Sequence, residues 1–450
     1  MADVPLDASV ARELRDALGE ARYRPEELRR LLRGSGAGLV GRRPPLPVLR
    51  LEARGDPLAA LIRLLVLAQP VEEERLAVSA ALLERSGLVE RRDGVVSPLV
   101  VLLAYGDLLL ACDRPGVGAD EVICAGVESE RLAALTPRRS VSTALEIGTG
   151  GGYEALLAAA HAEHVVGTDI SSRALAFARF NAALNGVTNV ELRAGSFFEP
   201  VEGERFDLVV SNPPYAVSPE SRLVYRDSGL ARDEVSGLVV HGAAEALQPG
   251  GFAVVAASWI VADDLLETPR GWLAGTGCDA WVFHIGTESA LAAAVAWNYE
   301  VPEEERTERV GRWLDYYRSE GIDSLAYGVL VMRHSGAKEP WLRVVRLPRA
   351  RSGPRSGAHV ERMFRGADLA DRGPGKPAEG VSLHVRRRWN DGGWEDEDAL
   401  FVSDDGIPFR LPADGDGPHR RRLVELGLLE PAALDEDDAE GRHRTMRPSM

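Results

Sequence analysis

Lysine is nearly missing from this 450-residue chain. Lys338 and Lys376 are the only two, so almost all of its positive charge is arginine. A GC-rich codon bias accounts for that more simply than a demand for bidentate phosphate contacts. Cysteine is scarce as well. Cys112, Cys124 and Cys278 have no close spacing, which suggests neither a metal site nor a disulfide framework. All three are expected to be buried thiols of a cytoplasmic protein. The start, Met1-Ala2-Asp3-Val4-Pro5, lacks a basic segment followed by an apolar one, so no secretory signal is visible. The longest apolar run, Pro98 to Cys112, is broken by Gly106 and Asp107 and is too short to span a bilayer. Net positive charge is lacking too: the total is −16, and residues 140–333 carry 13 arginines against 27 carboxylates, a net of −14. An acidic stretch of that size is a poor non-specific partner for nucleic acid, whose binding draws mainly on phosphate neutralisation.

What is present is ample apolar material. Hydrophobic residues make up 45% of a chain long enough for more than one domain. Residues 1–115 read as a helical, winged-helix-like domain. Asp56-Pro57 offers a capping carboxylate before a first-turn proline, and Leu58, Leu61, Ile62, Leu65 and Val66 recur at helical spacing. A second amphipathic helix is predicted over 71–85. The run from Ser86 to Val96 pairs apolar residues around Asp93-Gly94, the signature of a β-hairpin. Nine arginines against three glutamates between Ala21 and Arg54 make this region locally basic.

From Ser140 to Ser335 strands and helices alternate, which predicts a parallel α/β sheet within a domain over 116–335. Strands are predicted at 143–147, 164–169, 189–194, 206–211, 251–258, 279–285 and 325–333, with helices at 153–161, 172–185 and 233–247. The acid run at Glu303-Glu304-Glu305 reads as a solvated helix face. Residues 336–450 form the third region. Arg346 to Gly380 is rich in Arg, Gly, Pro and Ser and reads as a linker. Residues 381–411, with Asp-Gly turns at 391–392 and 405–406, suggest a small β-rich extension, and the last thirty residues are expected to fray.

Two turns carry the chemistry. In the first, Leu145-Glu146-Ile147-Gly148-Thr149-Gly150-Gly151-Gly152, a strand ends at Ile147 and the glycines let the backbone turn tightly against a ligand. The amides opening helix 153–161 face the same point. Asp169, at the end of the next strand and 19 residues past Gly150, is placed to accept hydrogen bonds from both ribose hydroxyls. Ser171 and Ser172 are available to cap the following helix, which frees Asp169 from that duty. In the second turn, Asp207-Leu208-Val209-Val210-Ser211-Asn212-Pro213-Pro214-Tyr215, two prolines rigidify the chain directly after Asn212. The Asn212 side-chain oxygen and the Pro213 carbonyl are both acceptors, so together they can hold the two hydrogens of an –NH2 group. Tyr215 can stack on a planar amide or base and offer its π face to a developing cation.

The segment from about Asp120 to Gly251 resembles the class I methyltransferases that use S-adenosylmethionine (SAM) and carry an Asn-Pro-Pro-[Tyr/Phe] motif. These include the release-factor glutamine methyltransferases and the small methyltransferases acting on RNA bases. The resemblance implies a Rossmann-like, seven-stranded SAM-methyltransferase domain. It implies that Glu146, Gly148, Thr149, Gly150, Asp169, Phe197 and Asn212 contact SAM, with Glu146 reaching the amino-acid end and Phe197 lying beside the adenine. It also implies that Asn212, Pro213 and Tyr215 hold the acceptor nitrogen. The sequence departs from the pattern at Ser196, where these enzymes usually carry an acid. The run Tyr225-Arg226-Asp227-Ser228-Gly229-Leu230 resembles the short glycine-containing stretch that follows the motif in glutamine methyltransferases.

The expected activity is therefore SAM-dependent N-methylation of a protein glutamine side chain, a translation factor being one candidate, with no membrane partner. Methylation of an exocyclic amine in rRNA or tRNA is the alternative, with Arg29, Arg30, Arg42 and Arg43 gripping phosphate. N-methylation of a small metabolite is a third reading, and a NAD-dependent oxidoreductase is the other enzyme class to be excluded.

Overall fold

The computed structural model describes residues 6–299, 301–346, 357–369, 374–377, 381–390, 393–403, 409–412, 426 and 429–431. The chain divides into two compact units, residues 1–133 with 139–349 and residues 134–138 with 350–450.

The first unit begins with four helices: α1 (Ala11–Glu20), α2 (Pro25–Leu32), α3 (Leu46–Glu52) and α4 (Leu58–Leu65). Asp56 Oδ1 accepts the Leu58 amide at 3.1 Å, the cap that its place before Pro57 predicts. Leu58, Leu61, Ile62 and Leu65 are all fully buried, as their spacing requires. The helix predicted over 71–85 is not formed as such. Strand β1 (Val71–Glu72) and a 3-10 turn (Glu73–Arg75) come first, and only Ala80–Arg85 is helical, as α5. Ser79 breaks the run: its hydroxyl accepts the Leu82 amide, so the helix starts there and does not pass through. The hairpin is present as β2 (Val89–Arg92) and β3 (Val95–Pro98), with Asp93 and Gly94 both at positive φ, the geometry of a two-residue I′ turn. The long apolar run is a second hairpin, β4 (Val100–Tyr105) and β5 (Leu108–Asp113), folded back at Gly106-Asp107.

These elements share one apolar core with two helices of the α/β region, α7 (Tyr153–Ala158) and α8 (Ser172–Asn185). Asn181 and Asn185, one turn apart on α8, each use both ends of the amide on β5: Asn181 on the N–H and C=O of Ala111, Asn185 on those of Leu109. The helix thus satisfies a strand edge that would otherwise be open. Asp113 and Arg173, both buried, form a two-point ion pair across the same junction. One expectation fails here. Cys112 and Cys124 form a disulfide, with Cα atoms 5.3 Å apart, and Cys278 alone is a free thiol, buried and pushed up to about 11 by desolvation. Twelve residues separate the pair; β5 and the loop returning beside it supply the proximity that the linear spacing conceals.

After α6 (Val127–Leu135) comes the main sheet: β6 (Val141–Ile147), β7 (Ala162–Asp169), β8 (Val190–Ala194), β9 (Phe206–Ser211), β10 (Leu247–Ile260), β11 (Cys278–Ser289), β12 (Ser324–His334) and β13 (Leu342–Arg346). Helices α9 (Glu234–Glu245), α10 (Glu267–Trp272), α11 (Ala290–Ala296) and α12 (Glu303–Ser319) lie between the later strands. All seven predicted strands are present, and β13 adds an eighth. The strand order is β13-β11-β12-β10-β9-β6-β7-β8. β6 to β10 pair in parallel, while β12 runs antiparallel to both β10 and β11, so the sheet is mixed and not purely parallel. β13 pairs parallel to β11 and covers its outer edge with only five residues, too short an alternation to stand out in sequence. This is a Rossmann-like α/β fold. The strand order reverses at β6, between β7 and β9, so the crevice beyond the carboxyl ends of these strands is where a ligand belongs.

In the second unit, α13 (Gly357–Leu369) lies inside the stretch read as a linker. Val360, Met363 and Phe364 are buried at i, i+3 and i+4, a single apolar stripe among Arg and Gly. Strands β14 (Pro374–Pro377) and β18 (Leu429–Pro431) pair antiparallel, and β15 (Val381–Asn390), β16 (Gly393–Ser403) and β17 (Phe409–Pro412) form a three-stranded antiparallel sheet over the region predicted to be β-rich. The two Asp-Gly turns and the final residues 432–450 lie outside the described residues.

Candidate active site

The glycine turn leaves β6 with Gly148, Gly150 and Gly152 all at positive φ. At Gly152 a Cβ would also come within 3.2 Å of Ala178 on α8, so glycine is required there both for conformation and for close packing. A Cβ on Gly148 or Gly150 would meet open space, the side from which a ligand can approach the backbone. Glu146 braces the turn from below. Its Oε2 accepts the Thr149 hydroxyl at 2.5 Å and the Ala155 amide at 2.8 Å. Burial pushes the Glu146 carboxyl up to about 8, against the opposing pull of these hydrogen bonds. Thr149 is buried, and its amide donates to Thr168 on β7 at 2.9 Å.

Asp169 ends β7 and ties two loops together. Its Oδ2 accepts the Gly150 amide and its Oδ1 the Ser171 amide, each at 2.8 Å. Ser171 caps α8 through the Ala174 amide, as anticipated, so Asp169 keeps lone pairs for a ligand. Burial raises its pKa. Beyond β8, Phe197 sits at φ 44° with its carbonyl accepting the Thr168 hydroxyl at 3.2 Å. The Ser196 amide donates to the Glu199 carboxylate at 3.3 Å.

The second turn leaves β9. Ser211 anchors the strand end through the Ile147 carbonyl at 2.9 Å, which fixes the two turns side by side. Asn212 Nδ2 donates to Ser129 Oγ at 3.0 Å, and the Tyr215 amide donates to the Pro213 carbonyl at 2.8 Å, leaving that carbonyl a second lone pair. The Tyr215 carbonyl accepts the Ser258 hydroxyl at 2.5 Å. Its ring meets Trp297 edge-on, centroids 6.1 Å apart, and burial raises its hydroxyl pKa. Tyr215 also bridges to Asp227 in the following loop. There Arg226 forms a two-point pair with Asp227, reaches Glu220 at 3.3 Å and the Trp297 carbonyl at 3.1 Å, and lies over the Trp313 ring of α12. Arg309 of α12 pairs with the same Glu220.

All the residues singled out from the sequence, Glu146, Gly148, Thr149, Gly150, Asp169, Phe197, Asn212, Pro213 and Tyr215, line one cleft of about 1530 Å3. That exceeds the roughly 300–1,000 Å3 of a single small-molecule pocket and leaves room for a second reactant. Two loops, 113–125 and 218–229, form part of its wall and meet where the Val224 amide donates to the Ala119 carbonyl at 3.0 Å. Ser129, Trp297, Glu220 and Arg309 are the parts that sequence reasoning missed, while Arg226 and Asp227 lie in the run from Tyr225 to Leu230 that it singled out. No motif flags the missed residues, and Ser129, Trp297 and Arg309 come from elements remote in sequence from the turn they serve.

The donor set fits SAM. An open glycine backbone, a carboxylate at the end of β7 for a ribose diol and Phe197 as an apolar wall suit an adenosyl group. The cleft lining carries ten acidic side chains, the buried Glu146 among them, and three arginines, suited to a cationic sulfonium and ammonium and hostile to the pyrophosphate of a dinucleotide.

A methyltransferase-domain family model matches residues 139–291, and the model of a domain of unknown function, DUF7059, matches residues 20–99. The release factor glutamine methyltransferase of Geobacter sulfurreducens is 33% identical over 229 residues, covering 47% of this chain and 75% of that one. That of Xylella fastidiosa is 36% identical over 145 residues, 29% of this chain and 50% of its own length. The chain thus spans three quarters of the first relative and half of the second. A solved methyltransferase from Pyrococcus furiosus aligns over 50% of this chain and 89% of its own at 19% identity and a TM-score of 0.31, too low to carry an argument. The protein is a SAM-dependent methyltransferase, and it belongs to the release factor glutamine methyltransferase family.

Proposed function

We propose that this enzyme methylates the side-chain nitrogen of a glutamine in a protein substrate, a release factor being the first candidate. The observation that carries this reading is the end of β9, where Asn212 and Pro213 present two acceptors beside the Tyr215–Trp297 aromatic pair. SAM supplies an electrophilic methyl on its sulfonium. Asn212 Oδ1 and the free lone pair of the Pro213 carbonyl hold the two N–H groups of the acceptor amide, which aims its nitrogen at that methyl. As the nitrogen gains positive charge, both acceptor dipoles favour it, and the Tyr215 ring offers its π face. Ser258 and Asp227, by gripping the Tyr215 backbone, hold the ring where it can act.

A protein acceptor is favoured over RNA by charge. Nine acidic side chains besides the buried, protonated Glu146, against three arginines, make the cleft unfavourable for a phosphate backbone. In the basic amino-terminal segment Arg29 pairs with Asp107 and Arg30 with Glu27, so two of the four proposed phosphate contacts are engaged within the chain. Arg42 and Arg43 are exposed and support the RNA alternative. Asn212→Ala tests the assignment: SAM binding should stay within a few fold while turnover falls by roughly 100-fold or more, the loss expected for a contact realised in the transition state. Normal turnover in that variant would remove Asn212 from the mechanism.

A further inference from the structure

We propose that Ser129 is a positioning residue that sets which way the Asn212 amide faces; the inference rests on the acceptor-holding role given to Asn212 above. A terminal amide can lie in two orientations that differ by exchange of its oxygen and nitrogen. Only one presents an acceptor to an incoming –NH2 group; the other presents a second donor and repels it. Asn212 follows directly on β9, and Pro213 restricts its backbone but leaves the side-chain torsion free. The structure supplies the missing restraint from 83 residues away: Nδ2 donates to Ser129 Oγ at 3.0 Å. With the nitrogen committed, Oδ1 is left for substrate.

Ser129 is well suited to this. It is the third residue of α6, and it lines the same cleft as Asn212. A rigid helix places the oxygen more reproducibly than a loop would. The hydroxyl accepts from Asn212 while its own proton remains free to turn toward solvent or substrate.

The experiment uses the full chain selectively labelled with 15N-asparagine, the Asn212 side-chain signal being identified by its loss in Asn212→Ala. In the wild type one of the two Nδ2 hydrogens should be shifted and protected from exchange. Ser129→Ala should abolish that signature, lower kcat about tenfold with KM and SAM affinity within threefold, and Ser129→Thr should restore both. An unchanged Asn212 signal in Ser129→Ala overturns the proposal. So does unchanged kcat, or a loss of SAM affinity parallel to the loss of rate, which would mark a merely structural role. The acceptor reading is judged separately by which substrate the wild type methylates. Were that RNA, the Ser129 comparison would be made on its exocyclic amine, since the Asn212 signal does not depend on the acceptor.

Discussion

Glu146 shows how burial beneath the glycine turn sets the protonation of a single side chain. In the unfolded chain its carboxyl ionises near 4.5, whereas burial holds it protonated up to about 8 in the folded protein. Between those values the native state carries a proton that the unfolded state has lost, so the stabilisation is complete below 4.5 and is lost as pH rises through 8. Glu146→Gln should remove that slope. In denaturant titrations of the SAM-free protein, the wild type should lose stability relative to the variant between about pH 5 and 8, and parallel curves would refute the buried, protonated carboxyl. Cationic SAM nearby favours the carboxylate, so its binding at pH 7 should release a proton, read calorimetrically as a buffer-dependent enthalpy that the Gln variant lacks. Glu146 and Asp169 are readable in the sequence because the strand, the glycine turn and the carboxylate are close neighbours along the chain. Ser129 is not, since only the fold brings α6 to the end of β9.

At the scale of elements, the loop 218–229 and the α11–α12 insertion wall the cleft beside Tyr215, and a buried charge network holds them together. Asp227 is nearly inaccessible, and although burial raises its pKa the hydrogen bonds from Arg226 and the Leu223 amide bring it below the usual carboxylate range. Removing it takes away the two-point partner of Arg226 and leaves that buried charge only Glu220, which Arg309 shares, beside Trp313 and the Trp297 carbonyl. Asp227→Ala should cost about 3–5 kcal/mol in equilibrium unfolding and raise the acceptor KM; a loss below about 1 kcal/mol would mean the network is not structural. Elements with long, clean periodicity were the legible ones: α4, the β2–β3 hairpin and the seven sheet strands. The rest failed for local reasons. Ser79 caps a helix where the apolar pattern ran on, α13 hides its one apolar stripe in an Arg- and Gly-rich stretch, and the Cys112–Cys124 bond depends on β5 turning back on its own loop.

For the whole molecule, the glycine turn and the Asn-Pro-Pro-Tyr turn lie side by side because β6 and β9 are neighbours in the sheet, an adjacency that arises only where the strand order reverses. Both turns therefore line one acidic cleft, which the proposed reading gives to cofactor and acceptor together. The identity of the acceptor is the least legible part in sequence, because it depends on the charge and shape of that cleft, assembled from loops 113–125 and 218–229 and from α11–α12. The most direct test is to incubate the purified chain with tritiated SAM in a cell lysate supplemented with purified release factor. The products are then split into ribonuclease- and protease-treated halves, and the labelled species is mapped by mass spectrometry. The account predicts label that protease removes and ribonuclease does not, located as a single methyl on a glutamine side chain. Label removed by ribonuclease alone, or a methyl on any atom other than a side-chain amide nitrogen, would contradict it.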